Sequence, residues 1–442
     1  MLLLHLLTAW GLLSTVCFAR LVELIAIARS AAADHGSDSG LVSAALLALL
    51  AATVLYLPLR AARARSSLDV LLATLAGLTL VFGLCDGPFL YRPPRTASLS
   101  GQTVLITGAN SGIGLAAAKA AAARGADVFL ACRSPVRCSA AAAEVRLSLG
   151  AAGSAAPVAK PLDLTDLRSV AEFAAAFQRQ AQRLDILVLN AGFAAGKDDQ
   201  RPAHTAQGIE LSLGAMHVGH ALLTKLLLPL LERKPARSSA TEAPARIVTV
   251  SSEASSLARP MHSSLFAGRG EGDLRGELTH AQAPLETPSA LANLLLGRIP
   301  AAFSGLGFAG FSPTYLRAKL ANVLFARAMG ERPLRRGARR VLSTAVGPGF
   351  VATDIFANSG LHSLGGVAMG ALTLIAVRPP HMGVLPIVRA MMDDADSVDA
   401  VYLDSMGYAN QFDAVCWAAG GCGGEEAARL MQVTERLIRS KG

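Results

Sequence analysis

The chain has 442 residues, enough for two or three ordinary domains, and 52% of them are hydrophobic. Mean hydropathy is +0.42, which argues against a purely soluble protein and sends part of the apolar surface to lipid. The net charge of +9 comes mostly from scattered arginines with no aromatic-interleaved basic run. Nucleic acid is therefore not an expected partner, whereas a solvated surface with juxtamembrane charge is.

In chain order, the first ninety-odd residues stand apart. Residues 2–18 are almost uninterrupted apolar, the run resumes at 21–28, and further runs follow at 41–59 and 68–84. The last two approach the ~20 residues that cross a hydrocarbon core of ~30 Å. The apolar runs are interrupted by Asp34-His35-Gly36-Ser37-Asp38, then Arg60, Arg63 and Arg65, and end at Asp86-Gly87-Pro88. A cleaved signal peptide is the rival reading of the first run. Only His5 precedes Arg20 as a basic side chain, so a signal anchor fits better. The positive-inside rule puts the Arg60–Arg65 loop in the cytosol. Three spans then place the rest of the chain in a lumen, two leave it cytosolic, and both counts stay open. The expectation is a membrane anchor over residues 1–95, in the endoplasmic reticulum or another endomembrane.

Tyr91-Arg92-Pro93-Pro94-Arg95 reads as a stiff linker, and an alternation of strands and helices begins at Gly101. Strands are predicted at 102–107, 127–132, 158–162, 184–189, 246–251 and 341–346. Helices are predicted at 115–123, 139–149, 167–182, 216–231 and 315–329. This alternation calls for a parallel sheet covered on both faces.

Cys17, Cys85, Cys132, Cys138, Cys416 and Cys422 form no CxxC pair and no zinc spacing. That argues against a disulfide framework, with a Cys416–Cys422 bridge left open in an oxidising lumen. His217 and His220 are three apart on a predicted helix, but no third ligand stands nearby, so no metal is expected.

The chemistry-bearing motifs begin at Thr107-Gly108-Ala109-Asn110-Ser111-Gly112-Ile113-Gly114, between the first strand and first helix. Its glycines let backbone turn tightly and approach a pyrophosphate, which the helix N-terminus then faces. The second strand ends at Ala131-Cys132-Arg133, where a guanidinium suits the 2′-phosphate of NADP(H) better than the ribose hydroxyl of NAD. Asp163 follows the third strand and Asn190-Ala191-Gly192 closes the fourth. Tyr315 and Lys319 lie four apart on one helix face, and a neighbouring cation stabilises phenolate. Of the five tyrosines, Tyr315 alone has Lys four residues on. It stands between Ser251-Ser252 and the turn Gly347-Pro348-Gly349.

From about Gly101 onward, these motifs in this order resemble the short-chain dehydrogenase/reductase family. Ala131-Cys132-Arg133, Gly219-His220-Ala221-Leu222-Leu223-Thr224, Lys319-Leu320-Ala321-Asn322 with Leu324-Phe325, and the run from Arg429 to Leu437 are similar to its retinol-dehydrogenase-like branch. The resemblance implies a Rossmann-type doubly wound sheet over 96–442, with cofactor and substrate in one domain. It implies catalytic roles for Ser252 (holding the substrate oxygen), Tyr315 (acid/base) and Lys319 (ribose contact, lowering the tyrosine pKa). It also implies NADP(H) contacts from Thr107, Gly108, Asn110, Ser111, Gly112, Ile113, Gly114, Arg133, Asp163, Asn190, Ala191, Gly192, Tyr315, Lys319, Pro348, Gly349 and Thr353.

Two departures stand out. Met216 occupies the place of the family's supporting Asn, and a thioether cannot anchor a proton-relay water. Ser252 and Tyr315 are separated by an insertion at about 254–312, open to reading as a lid, a membrane-contacting flap or a disordered insert, with the flap preferred. Two further stretches read more plainly. Arg335, Arg336, Arg339 and Arg340 are expected in a solvated loop, and the apolar residues 361–377 as a pocket wall that dips toward a membrane.

The expected function is hydride transfer between NADP(H) and a lipophilic alcohol or carbonyl such as a retinoid, sterol or lipid. The alternatives are a ketoreductase of fatty-acyl or sphingoid synthesis and a non-catalytic NADP(H)-binding membrane scaffold. The expected partners are a lipophilic small molecule and a membrane, with a homodimer as a candidate assembly.

Overall fold

A computed structural model describes residues 98–149, 156–193, 204–234, 243–252, 255, 313–349, 351, 379–404, 409–410, 412 and 423–441. The expected anchor (1–95), nearly all of the insertion (254–312), Thr353 and residues 361–377 lie outside them, as do Cys416 and Cys422.

Short β-branched and apolar runs form the strands. In chain order these are β1 (Thr103–Thr107), β2 (Asp127–Cys132), β3 (Val158–Pro161), β4 (Ile186–Leu189), β5 (Ala245–Val250), β6 (Val341–Val346), β7 (Tyr402–Leu403) and β8 (Ala409–Asn410). They lie in one sheet in the order β3-β2-β1-β4-β5-β6-β7-β8. Every pairing is parallel except β7 with the edge strand β8. Strand order reverses between β1 and β4, the switch point where open sheets of this kind leave a crevice beyond the carboxyl ends of their strands.

Alternation along each strand supplies two cores. Val104 and Ile106 of β1, Val128 and Leu130 of β2, and Val248 and Val250 of β5 face one side. There they pack on helices α1 (Gly112–Ala122) and α2 (Pro135–Ser148). Leu105, Phe129 and Ile247 face the other. That side is covered by α3 (Leu167–Gln180), α4 (Leu211–Leu231) and α5 (Pro313–Gly330). Three short helices follow, α6 (Pro380–Gly383), α7 (Leu385–Met392) and α8 (Ala395–Val398). The C-terminal helix α9 (Gly424–Lys441) packs against α5.

Local chemistry sets the helix starts. Ser134 accepts the Arg137 N–H and Pro135 occupies the first turn of α2. Asp166 caps α3 through the Arg168 N–H at 3.0 Å, and Glu210 caps α4 through Ser212 and Leu213 at 3.0 and 2.8 Å. Among the described residues α4 is long and apolar enough to cross a membrane, but 83% of its apolar window is buried. It is a core helix.

Two expectations are corrected. Arg339 is not a solvated loop residue: it is buried and donates to Asp185 Oδ1 at 2.8 Å, while Arg340 reaches Asp399 at 2.9 Å. Asp185 is itself fully buried and also accepts Thr103 N–H at 2.8 Å and Arg183 at 3.0 Å, so the buried carboxylate is fully partnered. The case against disulfides also fails at one place. Cys132 and Cys138 are bridged, with Cα atoms 5.6 Å apart, because the turn from β2 into α2 folds the chain back on itself.

Candidate active site

The motif residues converge at the carboxyl ends of the parallel strands. Gly108 has φ +64° and Gly112 φ +55°, conformations that disfavour a side chain. A Cβ on Gly108 would stand 2.8 Å from Ala191 Cα, and one on Gly114 would stand 2.4 Å from Gly108 O. The turn is thus closed against Asn190-Ala191-Gly192 as tightly as backbone allows. Asn190 holds the two segments together by donating Nδ2–H to Thr107 O at 2.9 Å and Gly108 O at 3.3 Å. Ser111 precedes α1 without capping it, which leaves the first-turn amides of that helix to an anion.

A cleft of about 290 Å³ opens over this turn. Its lining includes Gly108, Asn110, Ser111, Gly112, Ile113 and Gly114, Asp163, Asn190 to Gly192 and, following β2 on the other side of β1 from β4, Arg133. Sequence reasoning missed Ser134, Arg137, Phe193 and Ala215, which also line it. Arg137 was within reach: Ser134-Pro135 signals a helix start, and that places residue 137 in the first turn of α2, four residues after Arg133. The donor set fits a dinucleotide with an extra phosphate, since glycine-turn amides and the guanidiniums of Arg133 and Arg137 line the same cleft. Asp163 is occupied locally, accepting from Thr165 N and Oγ1 at 2.9 and 2.7 Å.

Tyr315 and Lys319 project from the first turns of α5, which packs on β5 and β6. Lys319 Nζ lies 5.7 Å from the Tyr315 ring centroid and donates to Val250 O at 3.0 Å. Both side chains are buried. Burial pushes the Lys319 ammonium down to about 8. Asn322 Nδ2 shares the Val250 carbonyl at 3.1 Å. Ser251 is spent on structure, donating to Lys319 O at 2.7 Å, whereas Ser252 is only half buried.

Gly192 joins this group to the cleft. The point where its Cβ would stand lies 3.2 Å from Met216 Sδ and 3.3 Å from Lys319 Nζ. Met216 is fully buried and clusters with Tyr315 and Ala318, so the residue that departs from the motif pattern sits beside the tyrosine. It occupies a π turn, Gly214–Val218, within α4. Thr107 is buried beneath the turn. Pro348 and Gly349 follow β6 without lining the cleft.

Comparison with known proteins gives a consistent set of likenesses. Residues 102–267 match the family described as short chain dehydrogenase. Human retinol dehydrogenase 13 is 30% identical over 318 residues, which is 71% of this chain and 79% of that protein. Human retinol dehydrogenase 12 is 34% identical over 267 residues, covering 60% of this chain and 66% of that one. A solved structure of an uncharacterised protein from Mycobacterium paratuberculosis is 25% identical with a TM-score of 0.50. That match covers 79% of this chain and 98% of the other.

Proposed function

The chain belongs to the short-chain dehydrogenase family, in its retinol-dehydrogenase-like branch, and from that premise we propose that it transfers a hydride between NADP(H) and a lipophilic alcohol/carbonyl pair. The observation that carries the reading is that Gly192, which lines the glycine-rich cleft, stands against Lys319 Nζ, itself 5.7 Å from the Tyr315 ring centroid. The choice of NADP(H) is supported by Arg133 and Arg137, two cations in the lining of the cleft whose guanidiniums suit a 2′-phosphate.

Bound NADPH would supply the hydride for carbonyl reduction. The chain's own residues then deal with the oxygen and its proton. Ser252 donates a hydrogen bond to the carbonyl oxygen, Tyr315 Oη–H delivers the proton that makes the alcohol, and the Lys319 cation stabilises the phenolate left behind. In the oxidative direction each transfer reverses. Gly108, Asn110, Ser111, Gly112, Ile113 and Gly114 would hold the pyrophosphate, with Asp163, Asn190 and Ala191 also lining the cleft; Pro348, Gly349 and Thr353 are proposed as further contacts on the family resemblance alone.

The substrate class follows from the hydrophobic residues 1–95, read as a membrane anchor of two or three helices on a catalytic domain of residues 96–442. An endomembrane location would present retinoid, sterol or lipid carbonyls directly to such a site. The decisive experiment is NADPH oxidation by the detergent-solubilised full chain against a panel of lipophilic carbonyls. Turnover that Tyr315→Phe abolishes while NADPH affinity stays near wild type is expected. No turnover overturns the reading and favours a cofactor-binding scaffold, whereas turnover that survives in Tyr315→Phe overturns Tyr315 as the proton donor.

A further inference from the structure

The π turn Gly214–Val218 is an uncommon backbone state that tends to mark functional positions. Two imidazoles fasten it to its surroundings. His217 Nε2 meets Thr434 Oγ1 of α9 at 2.8 Å. His220 bridges two partners, Met216 O at 2.9 Å through Nδ1 and Thr107 Oγ1 at 2.8 Å through Nε2. All four of these His and Thr side chains are buried.

Counting donors and acceptors assigns the protons. Thr107 Oγ1 already accepts the N–H groups of Asn190 at 2.9 Å and Ala191 at 3.0 Å, which fills both its lone pairs. Its single proton must point outward, and His220 Nε2 at 2.8 Å is a far better acceptor than Val188 O at 3.4 Å. Nε2 is then the acceptor nitrogen, and the proton of the neutral ring sits on Nδ1, donated to Met216 O. Burial keeps the ring neutral, lowering its pKa to about 4, and the nearby Lys319 charge acts in the same direction.

We propose that His220 is a positioning residue for the reaction, locking the turn that carries Met216 to Thr107 so that the cofactor side and the proton-transfer side keep one fixed spacing. This rests on the oxidoreductase reading above. Thr107 is the hub of the cofactor side, because the glycine turn starts from it and the Asn190–Ala191 backbone hangs on its hydroxyl. Met216 is the contact on the other side, packed on Tyr315 and Ala318. His220 is the single side chain that hydrogen-bonds both Thr107 and the Met216 backbone among the described residues.

The two halves of the bridge can be cut separately. An Asn side chain places its amide where Nδ1 stands, and a Gln where Nε2 stands. His220→Asn keeps the bond to Met216 O and loses Thr107; the expected result is an NADPH KM raised at least fivefold with kcat within twofold of wild type. His220→Gln keeps Thr107 and releases Met216 O; the expected result is kcat down at least tenfold with NADPH KM near wild type. Equal losses in both variants that merely follow a fall in Tm, or unchanged constants in both, overturn the assignment. Nitrogen-15 NMR of the histidine-labelled full chain in detergent gives a readout independent of turnover. A neutral ring with pyrrole-type Nδ1 and pyridine-type Nε2 signals, absent from the His220 variants, is expected. A chain that shows this signature yet reduces no carbonyl overturns the positioning role through the reaction. A chain that reduces carbonyls while His220 carries its proton on Nε2 overturns it through the bridge.

Discussion

Ser251 donates its hydroxyl to the main-chain oxygen of Lys319 at 2.7 Å, so the first serine of the pair after β5 is a fastener between strand and helix. Its neighbour Ser252, one residue further, is half buried and is the serine proposed to meet a substrate oxygen. The two should therefore fail differently. Ser252→Ala is expected to lower kcat by roughly tenfold or more with little change in Tm, since it removes a donor to the reacting oxygen. Ser251→Ala is expected to lose about 0.5–1.5 kcal/mol of stability by removing the buried hydrogen bond between strand and helix. Paired melts and NADPH-oxidation rates on the two variants check this, and the reverse pattern would exchange their roles.

Cofactor choice should follow the two arginines that line the cleft. Arg133→Asp removes a charge-assisted contact of roughly 1.5–3 kcal/mol, so preference should move from NADPH toward NADH by about ten- to a hundredfold. Arg137→Ala should weaken NADPH in the same direction by less, and the double variant should add to either alone. Ratios of kcat/KM for the two cofactors measure it; a wild-type preference for NADH contradicts the placement.

Lys319 sets an alkaline limit. Its burial lowers the ammonium from 10.5 to about 8, so the cation that stabilises the Tyr315 phenolate is present below that pH and is lost as pH rises through it. The profile of kcat/KM for NADPH, which follows the free protein, should therefore fall above about pH 8. Lys319→Arg, with a side chain that stays charged, should push that limb upward in whatever activity it retains.

Met216→Asn tests the departure from the motif. The side chain is fully buried against Tyr315 and Ala318, so an amide there costs about 1–3 kcal/mol unless it finds partners. Turnover well below the melting temperature should be unchanged or modestly raised, because a polar group able to hold a water replaces a thioether beside Lys319. A loss of kcat greater than tenfold in folded protein would make the thioether itself necessary.

Asp185→Asn should be among the most damaging surface-remote changes. It leaves Arg339 buried and short of its counter-charge, a loss of about 3–5 kcal/mol by analogy with other broken buried pairs. Asp185→Asn combined with Arg339→Met should recover part of it in denaturant melts.

The parts of this fold that were legible in sequence are those whose signal is local. The apolar runs of β2 and β6 ended where their hydrophobic pattern ended, at Asp127–Cys132 and Val341–Val346. The glycine turn, Arg133, Asn190 and the Tyr315/Lys319 spacing announced a cofactor cleft because each motif is a few residues long. What stayed hidden depends on distant partners. Arg339 looked like one arginine of a surface cluster, and only Asp185, far away in sequence, makes it a buried cation. The start of α4 at Leu211 and its π turn were missed because the Glu210 cap and the His217 and His220 bridges act on backbone that reads as loop. The two-residue strands β7 and β8 carry no periodicity at all. The Cys132–Cys138 bridge requires knowing that β2 turns straight into α2.

The pairing of Ala245 with Val341 joins β5 to β6 across nearly a hundred positions of chain. The entropy of closing a flexible loop grows only with the logarithm of its length, about 0.6 kcal/mol for each doubling. The separation in sequence therefore adds little to the cost of bringing β5 to β6, and what holds the seam is its parallel register of six residue pairs from Ala245↔Val341 to Val250↔Val346 with the buried side chains of both strands.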